Sequence, residues 1–336
     1  MHIVVLAGGV GGARFLCGVR AYAGAVAPNP QVTAVAGPSG SRVTAVVNTA
    51  DDVTLHGLRI CPDLDSVMYA LGDGIDPDRG WGRAGETWTV QEELAAYGAE
   101  PTWFGLGDRD VATHLVRTRM LDAGQPLSVV TETLCARWQP GVRLLPMTDD
   151  RVETHVVVRD PAGGRRALHF QEWWIRHRAG LPAEEFVPVG AEDAKPAPGV
   201  LDAIAEADLV LLAPSNPVVS IGTILAVPGI RAGLESARAP VVGVSPIIGG
   251  APLRGMAEKC LPAVGVEVSA AGVGRHYGAR AYGGLLDGWL VDTADAGAVV
   301  FGATVRAAPL YMTDEEATVA MVRAAVELAG EVRTGV

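Results

Sequence analysis

His2-Ile-Val-Val-Leu-Ala-Gly-Gly-Val-Gly-Gly-Ala-Arg14 is the stretch whose reading decides the fold. His2 to Leu6 is an unbroken, mostly β-branched run, the pattern of a strand buried on both faces of a parallel sheet. Four glycines follow within five positions, Gly8, Gly9, Gly11 and Gly12. They allow positive φ and bring backbone N–H groups close to whatever sits above the strand. From Ala13 a helical pattern runs through Phe15, Leu16, Val19 and Tyr22. A glycine turn between a buried strand and a helix N-terminus gathers unpaired N–H groups and the positive end of the helix dipole, so it suits a nucleotide phosphate or diphosphate. The turn is neither of the two familiar phosphate loops. The dinucleotide fingerprint asks for a glycine where Arg14 stands, and the Gly-Lys-Ser/Thr ending of a P-loop is absent. Arg14 instead offers a guanidinium near the phosphates. The plainer alternative is a tight strand–helix turn with no ligand.

Working outward, the same logic recurs. Val43 to Val47 reads as a second strand and ends in Asn48-Thr-Ala-Asp51-Asp52, at the carboxyl end where ligands meet side chains in an open α/β sheet. Adjacent carboxylates repel each other unless donors or a cation compensate, and a divalent ion bridging phosphate oxygens would do so. One aspartate capping a turn and the other solvated is the structural alternative. Pro62-Asp63-Leu-Asp65 opens the next helix, whose dipole alone accounts for one acidic residue and leaves the other for a metal. Asp208 to Ala213 and Ala239 to Val244 are further buried strands. They lead into Pro214-Ser215-Asn216 and Ser245-Pro-Ile-Ile-Gly249-Gly-Ala-Pro-Leu-Arg254. Three glycine- or serine-rich strand-end loops in one sheet suggest a large, multiply phosphorylated ligand.

Between these lie other candidates. Asp76 to Trp88 is a glycine-dense loop whose Trp81 and Trp88, with Arg79 and Arg83, suit a lid over a flat aromatic group or a loop packed on the body. Asp108 is placed as the N-cap of a helix carrying Arg109, His114 and Arg117; a phosphate clamp by Arg109 competes with a solvated face, which fits Arg117 better. His114 among Leu and Val has a packing reading beside a binding one. Leu127 to Trp138 is another helix. Alternation over Arg151–Arg159, the Asp160–Gly164 turn and the return over Arg166–Phe170 make an antiparallel hairpin. An inserted α+β subdomain is therefore expected over 140–200, dividing a Rossmann-like core of 1–140 and 200–336. The expected fold is α/β, a mostly parallel sheet with helices on both faces.

Composition narrows the classes. The 336 residues are 49% hydrophobic with 42 Gly and 22 Pro, a turn-rich globular make-up. The 38 acidic against 27 basic residues give −11, which argues against a nucleic-acid partner. Four scattered cysteines without Cys-x-x-Cys spacing fit buried hydrophobes in a reducing cytosol. The leading apolar run is too short for a signal peptide, and no run approaches a membrane span, so a soluble cytoplasmic protein is expected. Pro28 to Arg42 reads as an exposed loop.

Gly8-Gly-Val-Gly-Gly-Ala-Arg14, Asn48-Thr-Ala-Asp-Asp52, Pro62-Asp-Leu-Asp65, Gly107-Asp-Arg-Asp110 with Thr113-His114, and Ser215-Asn-Pro-Val-Val-Ser-Ile-Gly222 occur in this order. Together they closely resemble the 2-phospho-L-lactate transferase family of deazaflavin coenzyme (F-420) biosynthesis, nearly end to end. His169-Phe-Gln-Glu-Trp-Trp174 and Arg275-His-Tyr-Gly-Ala-Arg280 look like its phosphoenolpyruvate-transferring actinobacterial branch. The resemblance implies a guanosine diphosphate-linked three-carbon acid as donor, enolpyruvyl or lactyl, and the ribityl hydroxyl of the deazaflavin FO as acceptor, with GMP leaving. It implies Mg²⁺ and a homodimer. On that reading Asp52 and Asp63 bind metal, Asp51 or Asp65 orients the hydroxyl or acts as base, and Arg14 and Arg109 steady phosphate charge. Trp81 and Trp88 stack on the deazaflavin. Gly8, Gly9, Gly11, Gly12, Asn48, Asp108, His114, Ser215, Asn216, Gly249 and Arg254 complete the binding set. A nicotinamide-dependent dehydrogenase is disfavoured by Arg14 and by an acidic doublet with no role in hydride transfer. A nucleotide-sensing regulator on the same fold would bind without transferring.

Overall fold

In the computed structural model, which describes residues 1–25, 41–160, 163–253 and 255–334, seven strands form one parallel sheet. His2–Ala7 pairs with Arg42–Val47 on one side and Leu209–Leu212 on the other. Arg143–Pro146 flanks the former. Val241–Val244, Gly288–Val291 and Thr304–Ala307 extend the sheet beyond the latter. Numbered along the chain, the spatial order is 3-2-1-4-5-6-7. The order reverses between His2–Ala7 and Leu209–Leu212, which makes the gap above their carboxyl ends the switch point where such sheets bind ligands.

The opening strand shows why its sequence does not alternate. Ile3, Val5 and Ala7 enter one core layer, against the helices Gly9–Ala25, Pro62–Leu71 and Glu315–Thr334. Val4 and Leu6 enter the other, against Ile221–Ala226, Ile230–Glu235 and Ala270–Tyr277. With helices on both faces every residue from Ile3 to Ala7 is fully buried, so both parities must be apolar.

The expected hairpin forms, pairing Glu153–Arg159 with Arg165–His169 from His155↔His169 to Arg159↔Arg165. A third strand, Ala183–Val189, adds to the other side of Glu153–Arg159. Its Pro188 is tolerated because the strand is an edge, whose outward N–H groups need no partner. Arg143–Pro146 belongs to the parallel sheet, so this separate antiparallel unit begins after it and not at 140. A short hairpin, Val53–Leu55 with Leu58–Ile60, was not anticipated. Its two-residue turn, His56-Gly57, has positive φ at both positions, the geometry that matches strand twist. The loop expected over Pro28–Arg42 lies largely outside the described residues. Among the described residues no helix is long and apolar enough to cross a membrane.

Candidate active site

A cavity of about 910 Å³ opens at the switch point. Its floor is the glycine turn: Gly8, Gly9 and Gly11, with Arg14 one helical turn on. The helix begins at Gly9, inside the glycine run. A Cβ on Gly8 would stand 2.6 Å from Asp63 Oδ2 and 2.7 Å from Ser220 Cβ, so the turn and the Pro62–Leu71 helix meet at a contact only glycine permits. Gly9 takes φ +65°, the left-handed conformation that a side chain would strain. Gly12 turns away from the cavity, against Ala7 and Ser215. Ser215 clamps the turn from the neighbouring strand end, its Oγ accepting from Gly8 N (3.1 Å) and donating to Gly8 O (2.7 Å). Asn216 also lines the cavity, with Oδ1 engaged by Val218 N at 2.9 Å.

One wall is acidic, formed by Asp51, Asp63, Asp65 and Asp110. Asp63 Oδ2 accepts from Asn48 Nδ2 at 3.0 Å. Asn48 is wholly buried behind it, bonding also to Val219 O, Ala50 N and Thr223 Oγ1, so it positions Asp63 and does not line the cavity. Burial raises the Asp63 carboxyl to about 6. Asp51 is pushed well above the usual carboxylate range by burial and then by the charges of Asp63 and Asp52, and its Oδ1 has no hydrogen-bond partner. Two buried carboxylates that resist ionising together, one with an orphaned oxygen, form a donor pair that a cation would relieve.

Asp52 departs from the expected metal pair. It is absent from the cavity lining, and Arg59 Nη2 holds its Oδ2 at 3.2 Å. The hairpin explains this: Arg59 stands opposite Thr54, which shares a strand face with Asp52 two residues earlier. Burial lifts Asp52 to about 7, with Arg59 opposing. The antiparallel unit fastens this loop from above, as His169 Nε2 lies 3.1 Å from Asp52 O and Gln171 Nε2 donates to Asp51 O at 3.1 Å. Within the doublet, Asp51 faces the cavity and Asp52 faces Arg59.

The Asp108–Asp122 helix corrects a second expectation. Arg109 is exposed and off the cavity, whereas Arg117 is 1% exposed. Asp110, Thr113, His114 and Arg117 fall at i, i+3, i+4 and i+7, so they share the inward face and Arg109 lies to one side. Asp108 does not cap its own helix. It accepts from Thr87 Oγ1, Thr89 N and Val90 N, capping the Thr89–Ala96 helix, and its carboxyl is held below the usual range chiefly by Thr87. Glu86 returns the favour, accepting from Arg109 N (2.8 Å) and Asp110 N (2.9 Å). His114 lines the cavity and is 2% exposed. Asp65 is ion-paired with Arg117, and its Oδ2 has no hydrogen-bond partner. Asp110, missed in the sequence, is raised to about 6 by burial and by Asp65, with an orphaned Oδ1. Nothing in its spacing distinguishes it from Asp108.

At the mouth, Arg79 lies over both indoles, 5.4 Å from Trp81 and 5.0 Å from Trp88. Only Trp81 reaches the main cavity; Trp88 lines a separate shallow recess. Arg83 packs inward over Trp138 at 5.0 Å, and so holds the loop to the body. Phe170, Gln171 and Trp174 of the antiparallel unit, within the His169–Trp174 stretch that carries the family resemblance, also line the cavity, as do Leu310–Thr313, which had no periodic or motif signal. Gly249 is exposed and outside it, its N–H donating to Asp295. Arg254 lies outside the described residues.

A parallel α/β sheet with a glycine turn and buried carboxylates converging on one cavity at its switch point is the architecture of an α/β enzyme. Comparison with known proteins narrows it. Residues 3–326 match the family model described as 2-phospho-L-lactate transferase CofD, and the chain belongs to that family: it is a transferase. It is 64% identical over 333 residues to the phosphoenolpyruvate transferase of Thermobifida fusca, covering 99% of both chains. It is 62% identical to that of Mycolicibacterium smegmatis, covering 98% of this chain and 99% of the relative. A crystal structure of a UPF0052-family protein from Bacillus halodurans shares the fold, with TM-score 0.57 and 17% identity over 97% of this chain and 99% of that one.

Proposed function

We propose that the chain transfers a phosphoenolpyruvyl or 2-phospho-L-lactyl group from a guanosine diphosphate-linked donor to the ribityl hydroxyl of the deazaflavin FO. GMP is released and (dehydro) coenzyme F-420-0 is formed. The observation that carries this is the convergence of Gly8–Gly11, Arg14, Asp51 and Asp63 on one cavity whose mouth holds Trp81. The glycine turn supplies backbone donors for the diphosphate, and Arg14 meets the charge that develops on the transferring phosphorus. The acceptor oxygen forms the new P–O bond as the anhydride P–O bond to GMP breaks. Asp65, with an oxygen left over from its pairing to Arg117, orients the hydroxyl and takes its proton as the new bond forms. Such transfers depend on positioning and charge neutralisation more than on covalent help.

Asp51 and Asp63 are the residues that would hold Mg²⁺, which supplies neutralisation of phosphate charge when bound. Among the described residues no three His, Cys, Asp or Glu side chains group to hold a metal alone. Mg²⁺ commonly takes one or two carboxylates and completes its shell with substrate phosphates and water, so a two-carboxylate site suits it. Trp81 offers a face to the flat deazaflavin. The protein acts in the cytoplasm as a homodimer on small-molecule substrates. The test is incubation of purified protein with FO, donor and Mg²⁺, followed by the product's mass. A mass matching either phosphodiester supports the reading, and the two differ by two hydrogens. Nucleotide binding without product would favour a non-catalytic role.

A further inference from the structure

His114 and Arg117 sit one helical turn apart, and their contact fixes which ring nitrogen carries the proton. Arg117 Nη1 lies 3.1 Å from His114 Nδ1. A guanidinium only donates, so Nδ1 accepts and the proton resides on Nε2. Arg117 has little freedom to do otherwise. It is fully enclosed, ion-paired with Asp65 through Nη2, and donates to Arg59 O at 3.3 Å. The Nδ1 edge of the imidazole thus faces Arg117 and Asp65, whose Oδ2 is 3.7 Å away. With Nδ1 so engaged, Nε2–H is the donor the ring has left, and His114 lines the cavity.

We infer that Arg117 is a positioning residue that locks His114 as a neutral Nε2–H donor to an oxygen, phosphoryl or hydroxyl, of the bound substrate. A neutral donor keeps one orientation and one charge across the working pH range. An imidazolium here would instead pair with Asp65 and compete for the carboxylate that Arg117 occupies. Burial and Arg117 both favour the neutral ring, bringing its pKa down to about 4 against the opposing pull of Asp65. Besides Asp65 and Tyr69 on the Pro62–Leu71 helix, the charged and titratable groups around this corner are Arg59, Cys61 and Asp110, with Asp52, Arg83 and Glu86 next to them.

The functional consequence rests on the transferase reading, whereas the tautomer does not, so the experiment separates them. A long-range ¹H–¹⁵N spectrum of the full-length, histidine-labelled protein, assigned by the signal lost in His114→Gln, reports the tautomer directly. The expected result is an Nε2–H ring that does not titrate between about pH 5 and 8. In Arg117→Met the ring, left beside Asp65, titrates inside that range, and Arg117→Lys restores the neutral state. An Nδ1–H ring, or wild-type titration at the ordinary histidine value, overturns the proposal. For turnover, His114→Phe is expected to fall about 10- to 100-fold, whereas His114→Gln, whose amide places a donor near Nε2, retains about tenfold more than Phe. Equal losses in the two variants overturn the donor role. Should Arg117→Met fail to fold, the wild-type spectrum and the Gln/Phe comparison still decide. A correct tautomer in a protein without transferase turnover would overturn the functional reading alone.

Discussion

Asp63→Asn offers a test in which stability and activity should move in opposite directions. Asp63 is 7% exposed, and burial raises its carboxyl from 3.8 to about 6. A carboxyl that ionises less readily in the folded chain than in the unfolded one leaves stability intact below the unfolded pKa. That stability is lost as pH rises through the folded value. The penalty is therefore absent below about pH 4, grows to about pH 6 and is constant above it. At 1.36 kcal/mol per pH unit the rise amounts to about 3 kcal/mol. Asparagine keeps the shape and the acceptor that Asn48 Nδ2 requires at 3.0 Å, without the charge, but turns a donor toward the Gly9 N–H whose hydrogen bond the second carboxylate oxygen accepts, so about 1 kcal/mol of the gain is given back. Urea unfolding should thus find Asp63→Asn more stable than wild type by up to about 2 kcal/mol near pH 8, and no more stable near pH 4. Mg²⁺ should stabilise the wild type and leave the variant unmoved. Turnover in the variant should fall by about 10²-fold or more, as expected when a ligand of a charge-neutralising cation is removed. Equal or lower stability of the variant near pH 8, or full turnover with normal Mg²⁺ dependence, would refute the placement of a strained carboxylate at the metal.

Other outcomes follow from the same geometry. Asp52→Ala should leave the Mg²⁺ dependence of unfolding and of turnover unchanged, because Asp52 lies off the cavity and faces Arg59. Arg109→Ala should leave kcat/KM within about twofold of wild type, whereas Arg14→Ala should lower it about 10²-fold, because only Arg14 lines the cavity. Trp81→Ala should raise the KM for the deazaflavin about three- to tenfold, and Trp88→Ala less, since the second indole reaches the cavity only through Arg79.

The fold was readable where one physical demand governed many residues. Continuous apolar runs at His2–Ala7, Leu209–Leu212 and Val241–Val244 announce strands buried on both faces, and glycines at the first run's end announce the tight turn into the first helix. The third strand of the antiparallel unit was hidden because its proline is permitted only by its edge position, a tertiary fact. Within the site, the glycine turn, Asp63 and Ser215 were legible from position at a strand end or helix start. The split between Asp51 and Asp52 was not. Consecutive residues in a turn diverge, and which of them meets Arg59 depends on the register of a three-residue hairpin. Arg109 and Arg117 were exchanged for a related reason. Charge alone suggested that one basic residue points at a ligand, and the helix phase set by Asp110 and His114 selected Arg117, already committed to Asp65. The lining from Leu310–Thr313 arrives from a distant chain segment and carries no local pattern, and the Phe170–Trp174 stretch stood out by resemblance without any sign that it reaches the cavity.

The central claim is that the glycine turn and the Asp51–Asp63 pair grip one cation-bridged diphosphate. The direct measurement is a crystal structure with GDP and Mn²⁺ in place of Mg²⁺, located by anomalous scattering. A single manganese peak bonded to Asp51 and Asp63 carboxylate oxygens and to the diphosphate is expected, with phosphate oxygens over the N–H groups of Gly8 to Gly11. Manganese at Asp52, or a diphosphate bound away from the glycine turn, would contradict it.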